Sequence, residues 1–173
     1  TIRYEDFKAF TVFTVRAAES PDLTNGAEVM LELLDAIVER LAYVLEAGSA
    51  AVQESSHAIF DRPHGGAFEP LLTGLARTQS VVAMARTSLV SLGRLASFAG
   101  LAPEIAAASA SRAHLTSVQH DIGSLTEHAG SLASQIAFLL DAALGLINIE
   151  QNSIIKFFSV VSVALMPPTL VAS

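Results

Sequence analysis

Ten positions near the carboxyl end of the chain combine side-chain type with a fixed spacing. Asp141, Gly145, Asn148, Asn152, Ile155, Ser159, Ser162, Met166, Thr169 and Ser173 follow one another by alternating steps of four and three residues. On a helix this seven-residue period puts them in one stripe. The stripe collects every Ser, Thr, Asn and Asp between Asp141 and Ser173 except Ser153. Amide, hydroxyl and carboxylate oxygens in a line can touch an ion or its water. Ile155 and Met166 interrupt that line.

The element that must carry the stripe is apolar elsewhere. From Phe157 to Ser173 there is no charged residue, and Lys156 stands just before the run. Such a run is at the short limit for crossing a bilayer. The other faces hold Phe157, Phe158, Val160, Val161, Val163, Ala164 and Leu165. This inverts a soluble amphipathic helix, whose narrow face is the apolar one. Polar groups inside a membrane face a bundle interior or water, so several copies around an axis would turn their stripes onto a wet channel. The alternative is that Ser and Thr serve as small residues for close helix packing. Packing, however, does not need Asn148, Asn152 or Asp141.

Composition narrows the classes further. Of 173 residues, 51% are hydrophobic and 16% charged, below the roughly 25% of average soluble domains, and the net charge is −7. The acidic balance argues against nucleic acid as a partner. With no Cys there is no disulfide and no thiolate chemistry. The five histidines, His57, His64, His114, His120 and His128, make no H-x-x-x-H pair. His120 beside Asp121 is read as the only local acid–imidazole pair, and adjacent helical positions do not share a face. No nucleophile–base pair or phosphate-cradling glycine loop is visible, so an enzyme, a zinc enzyme included, has no support. The opening TIRYEDF lacks the apolar segment of a signal peptide and reads as the middle of something already begun.

Three runs, GLINIEQN, IIK and MPPTLVAS, resemble the stalk end and first transmembrane helix of the CorA family of magnesium and cobalt channels, closest to its proteobacterial type. The resemblance implies a mainly α fold. Its parts are a long antiparallel helical hairpin, a very long stalk helix running into the first transmembrane helix, and a short amino-terminal remnant of an α/β domain. It divides the chain at 1–20, 21–102, 103–152 and 153–173. In the family a Tyr-Gly-Met-Asn signature follows, and this sequence stops just before it, as a fragment would.

The resemblance also implies a homopentamer in the bacterial inner membrane, this part mostly cytoplasmic, with the stripe on the fivefold axis. Its partners are the lipid bilayer and divalent cations. Mg2+ (and Co2+) is the transported or regulatory ion, and no resident cofactor is implied. Magnesium sheds its water reluctantly, which suits neutral pore-lining groups such as Asn152, Ser159, Ser162, Thr169 and Ser173. Ile155 with Phe158 nearby becomes the hydrophobic gate. Asp141 becomes either a cation-concentrating ring or a solvated stalk residue. The family also holds regulatory ions between subunits. Ser117 falls near the usual stalk carboxylate and Asp121 one turn later, either as a sensor or as a surface residue. A zinc-transporting relative is the nearest rival, and a soluble helical-bundle interaction protein the rival from another class.

In chain order, Thr1 to Tyr4 read as a strand, and Phe7, Phe10, Thr14 and Ala17 as one face of a helix after Asp6. The loop Ser20 to Gly26 follows. A helix over 27–60 carries an apolar line from Met30 to Leu45 and an acidic line of Glu28, Glu32, Asp35, Glu39 and Glu46, which is either a cation collector or a solvated face. The turn Asp61 to Ala67 returns the chain as a helix over 68–97, with Leu71, Leu72, Leu75, Val82, Leu89 and Leu92 inward. Arg77, Arg86 and Arg94 lie outside, able to pair with the acidic line. After the turn Phe98 to Pro103 no breaker precedes Pro167-Pro168, where a kink is expected. That predicts one helix of about 70 residues, roughly 105 Å.

Overall fold

The computed structural model describes residues 11, 13–15, 25–61 and 68–171, and side chains as far as 163. The expected strand at Thr1 to Tyr4, the Phe7 and Phe10 face and the tip 62–67 lie outside the described residues. Those described are helical, with no strand among them. The first helix, α1, is Gly26–Phe60. Asn25 is extended, and its side chain accepts from the Ala27 N–H at 3.1 Å, which satisfies one of the orphan donors of a helix start. The second, α2, is Glu69–Ala99, with a proline in its first turn; there a missing N–H costs nothing.

Both helices bury a seam at alternating steps of three and four. In α1 it includes Leu31, Leu34, Val38, Leu45, Gly48, Val52 and Ile59. In α2 it is Leu75, Val82, Ala85, Leu89 and Ala96. The long last helix contributes Leu115, Val118, Ile122, Ala129, Leu132, Ile136, Leu139 and Ala143. This is the repeat of helices packed nearly parallel. Each buried Leu or Ile contributes about 1.5–3 kcal/mol.

Inter-helix neighbours fix the directions. Ile37 shares a hollow with Thr87 to Leu95, while Gly48 faces Val82 and Thr78, so α1 and α2 are antiparallel. Gly93 faces Ile122 and Gly100 faces Leu115, so the last helix also opposes α2. It runs with α1: Gly48 faces Leu132, and Val52 to Ser56 lie beside Gln135 to Leu139. The result is a three-helix bundle, with α1 and α2 as the antiparallel pair.

The single helix expected from Pro103 is broken. A short α3, Pro103–Ala107, ends at Ala108, whose backbone is extended at φ −91° and ψ 119°. Then α4, Ser109–Val171, runs for 63 residues, about 95 Å. The seam explains the break. Its steps, carried backward from buried Ser111, land on Ala108 and Glu104. An unbroken helix would turn a carboxylate inward and Ile105 aside. The extended Ala108 resets the phase, so that Ile105 is 1% exposed and Glu104 is in solvent. At the other end α4 continues through Pro167 and Pro168 to Val171.

Candidate ion-conducting face

On α4 the polar stripe and the buried seam occupy opposite sides. At 3.5 residues per turn the stripe lies roughly 150° around the helix from the seam. Asp141, Gly145, Asn148, Asn152, Ile155, Ser159 and Ser162 are all exposed, while Leu139 and Ala143, two residues to either side of Asp141, are buried. The hairpin of α1 and α2 therefore covers one side of α4 and leaves the other bare. Its cover ends near Leu146, and every residue from Gln151 to Val160 is exposed. Below the bundle the seam itself continues as Phe157, 65% exposed, and Val160, 69% exposed: a hydrocarbon side facing away from the polar one.

Hydroxyl direction matters for chemistry. Ser159 Oγ donates to the Ile155 carbonyl at 2.9 Å, and Ser162 Oγ donates to the Phe158 carbonyl at 2.8 Å. With its proton spent on the backbone, each oxygen offers only lone pairs outward. A hydrated cation turns its water hydrogens outward. Oxygens fixed as acceptors suit such a shell, and the amides of Asn148 and Asn152 can serve the same water from either end.

Ile155 and Phe158, expected to form a gate, are 61% and 63% exposed. Ile155 is on the stripe. Phe158 is on its flank, edge-on to Phe157 at 5.9 Å between ring centres. The helix carries the backbone of Met166 and Thr169, whose side chains lie outside the described residues, as does Ser173.

Asp141 is exposed on the stripe, as its spacing requires. Asp121 is not on that line. It borders a hollow of about 440 Å³ between α4 and α1, together with Asp35, Glu39 and Ser124. Sequence spacing on one helix does not report such an inter-helix neighbourhood. No group of three or more potential ligands is placed to hold a metal among the described residues. The acidic line on α1 is split between half-buried Glu28, Glu32 and Asp35 and exposed Glu39 and Glu46.

One pair corrects the reading of the histidines. His57 Nδ1 lies 3.0 Å from Asp61 Oδ2, both well exposed, so His120 and Asp121 are not the only local acid–imidazole pair. The spacing is i,i+4 across the end of α1, which places both side chains on one face. It was visible in the sequence as H-x-x-x-D.

The whole chain, residues 1–173, matches the family described as CorA-like Mg2+ transporter protein. Among curated proteins it is similar to the magnesium transport protein CorA of Mannheimia succiniciproducens, 37% identical over 174 residues. It is likewise similar to those of Pasteurella multocida, at 36%, and Escherichia coli K12, at 34%. In each case the alignment takes in 100% of this chain and 54% of the relative, so the chain spans about half the length of the relatives it matches.

Proposed function

Since the chain belongs to the family of CorA-like Mg2+ transporter proteins, we propose that it forms the bundle, stalk and first membrane-entering helix of a Mg2+-conducting subunit. Copies of the subunit assemble around an axis, five by resemblance, with the polar stripe of α4 facing that axis. Asp141 gathers cations at the inner mouth. Asn148, Asn152, Ser159 and Ser162 touch the hydration shell, followed by Thr169 and Ser173 farther along. Ile155 and Phe158 narrow the path to an apolar ring that resists wetting. Phe157, Val160 and Val163 meet lipid or sister helices in a bacterial inner membrane, and Lys156 marks its cytoplasmic edge. The segments at 1–20 and 21–102 are then cytoplasmic.

The observation that carries this reading is the opposition on α4. A polar, exposed line stands across from a seam already occupied by the hairpin, and among the described residues nothing covers it. The relatives' names favour Mg2+ over zinc; the Co2+ expectation stands on the resemblance. Regulatory binding at Asp121 would need carboxylates from another subunit.

The test is Mg2+ flux through the full-length protein in proteoliposomes. Asn152→Leu, which removes an amide from the hydrated path, should lower flux about tenfold, equivalent to ~1.4 kcal/mol of lost hydrogen bonding. Asp141→Ala should lower it severalfold, most at low Mg2+ and low salt, where a charge ring matters. Unchanged flux in both variants would remove the pore assignment.

A further inference from the structure

A large apolar ring interrupts the exposed line of α4 just ahead of Asp141. The steps of three and four that lead back from Asp141 pass through Phe138, then Ser134 and Ser131. On either side of Phe138 this line is small, polar or charged from Ser131 to Asn152. Phe138 is nonetheless 63% exposed. Its ring leans toward α1, where its centre lies 6.5 Å from that of Phe60, with the two planes tilted by 30°. Room on that side comes from a hollow of about 170 Å³ between the helices, which Phe138 borders with Val52, Gln53, Ser56, Gln135 and Leu139. Phe60 is the last residue of α1 and is itself 55% exposed. Burial therefore does little to fix where Phe138 points, and the ring contact does most.

A phenylalanine in a helix has two staggered directions open at its first side-chain torsion, the third being blocked by the preceding turn. We propose that Phe60 is a positioning residue for the ion path: it holds the Phe138 ring on the α1 side and so off the line that faces the axis. The inference rests on the pore reading above and adds a residue of the hairpin to it. Released from Phe60, Phe138 takes its other direction as well. One ring per copy then narrows the path three residues, about 4.5 Å, ahead of Asp141. Mg2+ arrives with its water, and a collar of apolar rings at that point takes up its space and resists wetting.

Mg2+ flux through the full-length protein in proteoliposomes tests this with three variants. Phe60→Ala should lower flux by about two- to tenfold, the population shift that loss of an aromatic pair brings. Phe138→Ala should conduct at least as well as the native protein, since it removes the ring that obstructs. Phe60→Ala combined with Phe138→Ala should return flux to the level of Phe138→Ala alone. If Phe60 served only to hold the fold, the double variant would conduct no better than Phe60→Ala. Native flux in Phe60→Ala, reduced flux in Phe138→Ala, or a double variant that stays low overturns the proposal. Asp141→Ala and Asn152→Leu, measured alongside, are the controls for the pore reading. If either lowers flux while the ring variants fail as described, the pore stands and the positioning role falls. If neither does, both fall.

Discussion

At the scale of single residues, the bundle is held by close contacts that make definite demands. Gly48 is buried where three helices meet; a Cβ there would stand 3.4 Å from Leu132 Cδ2 and 3.6 Å from Val82 Cγ2. Those are ordinary contact distances, and Gly in a helix interior costs about 1 kcal/mol relative to Ala. Gly48→Ala should therefore be neutral or raise the thermal unfolding midpoint, whereas Gly48→Leu should lower stability by about 1–3 kcal/mol through overpacking. Leu89, with 0% exposure, sets the scale for the opposite error: Leu89→Ala should cost about 2–5 kcal/mol. Thermal and denaturant unfolding of the purified protein reads all three, and a destabilised Gly48→Ala would mean that the three helices pack more closely at Gly48 than these distances allow.

At the scale of elements, the break at Ala108 is the feature that separates pattern from structure. Ile105→Ala should destabilise the junction by about 2–4 kcal/mol, while Glu104→Ala should change little, since Glu104 is exposed. An uninterrupted helix would reverse that order, so denaturation of the two variants decides between the geometries. The polar stripe of α4 and the inward line of α2 at Leu75, Val82 and Leu89 were legible in the sequence because each repeats with a seven-residue period, whereas α1 buries Leu31 and Val38, which the line expected from Met30 to Leu45 did not include. The antiparallel pair was legible because Pro63, Gly65 and Gly66 leave only a short connection. The break was not found because AAASAS has no proline or glycine to announce it. The signal lay in phase: the buried line counted back from Ser111 reaches Glu104 and misses Ile105. The company Asp121 keeps with Asp35 and Glu39 depends on the register between two helices, which no single-helix periodicity contains.

At the scale of the whole molecule, a helix of about 95 Å stands beside a bundle that covers only part of it. Phe157, Phe158, Val160 and Val163 remain 63–70% exposed, a surface that a protein does not leave to water. Hydrocarbon on one side and acceptor oxygens on the other call for two different surroundings, which the proposed ring of copies in a bilayer would supply. Cross-linking tests that arrangement directly. With one thiol per protomer, Asn152→Cys lies on the line proposed to face the axis and should oxidise to disulfide-linked dimers in the membrane-inserted protein. Ser153→Cys lies on the seam line, across the helix from the stripe, and should stay monomeric. The completeness of the reaction also counts the copies. In a closed ring each thiol can pair once, so a ring of five must leave about one-fifth of the chains unlinked at full oxidation, whereas a ring of four leaves none. Efficient linking at Ser153→Cys with none at Asn152→Cys would turn the stripe away from the axis and leave the proposed ion route without walls.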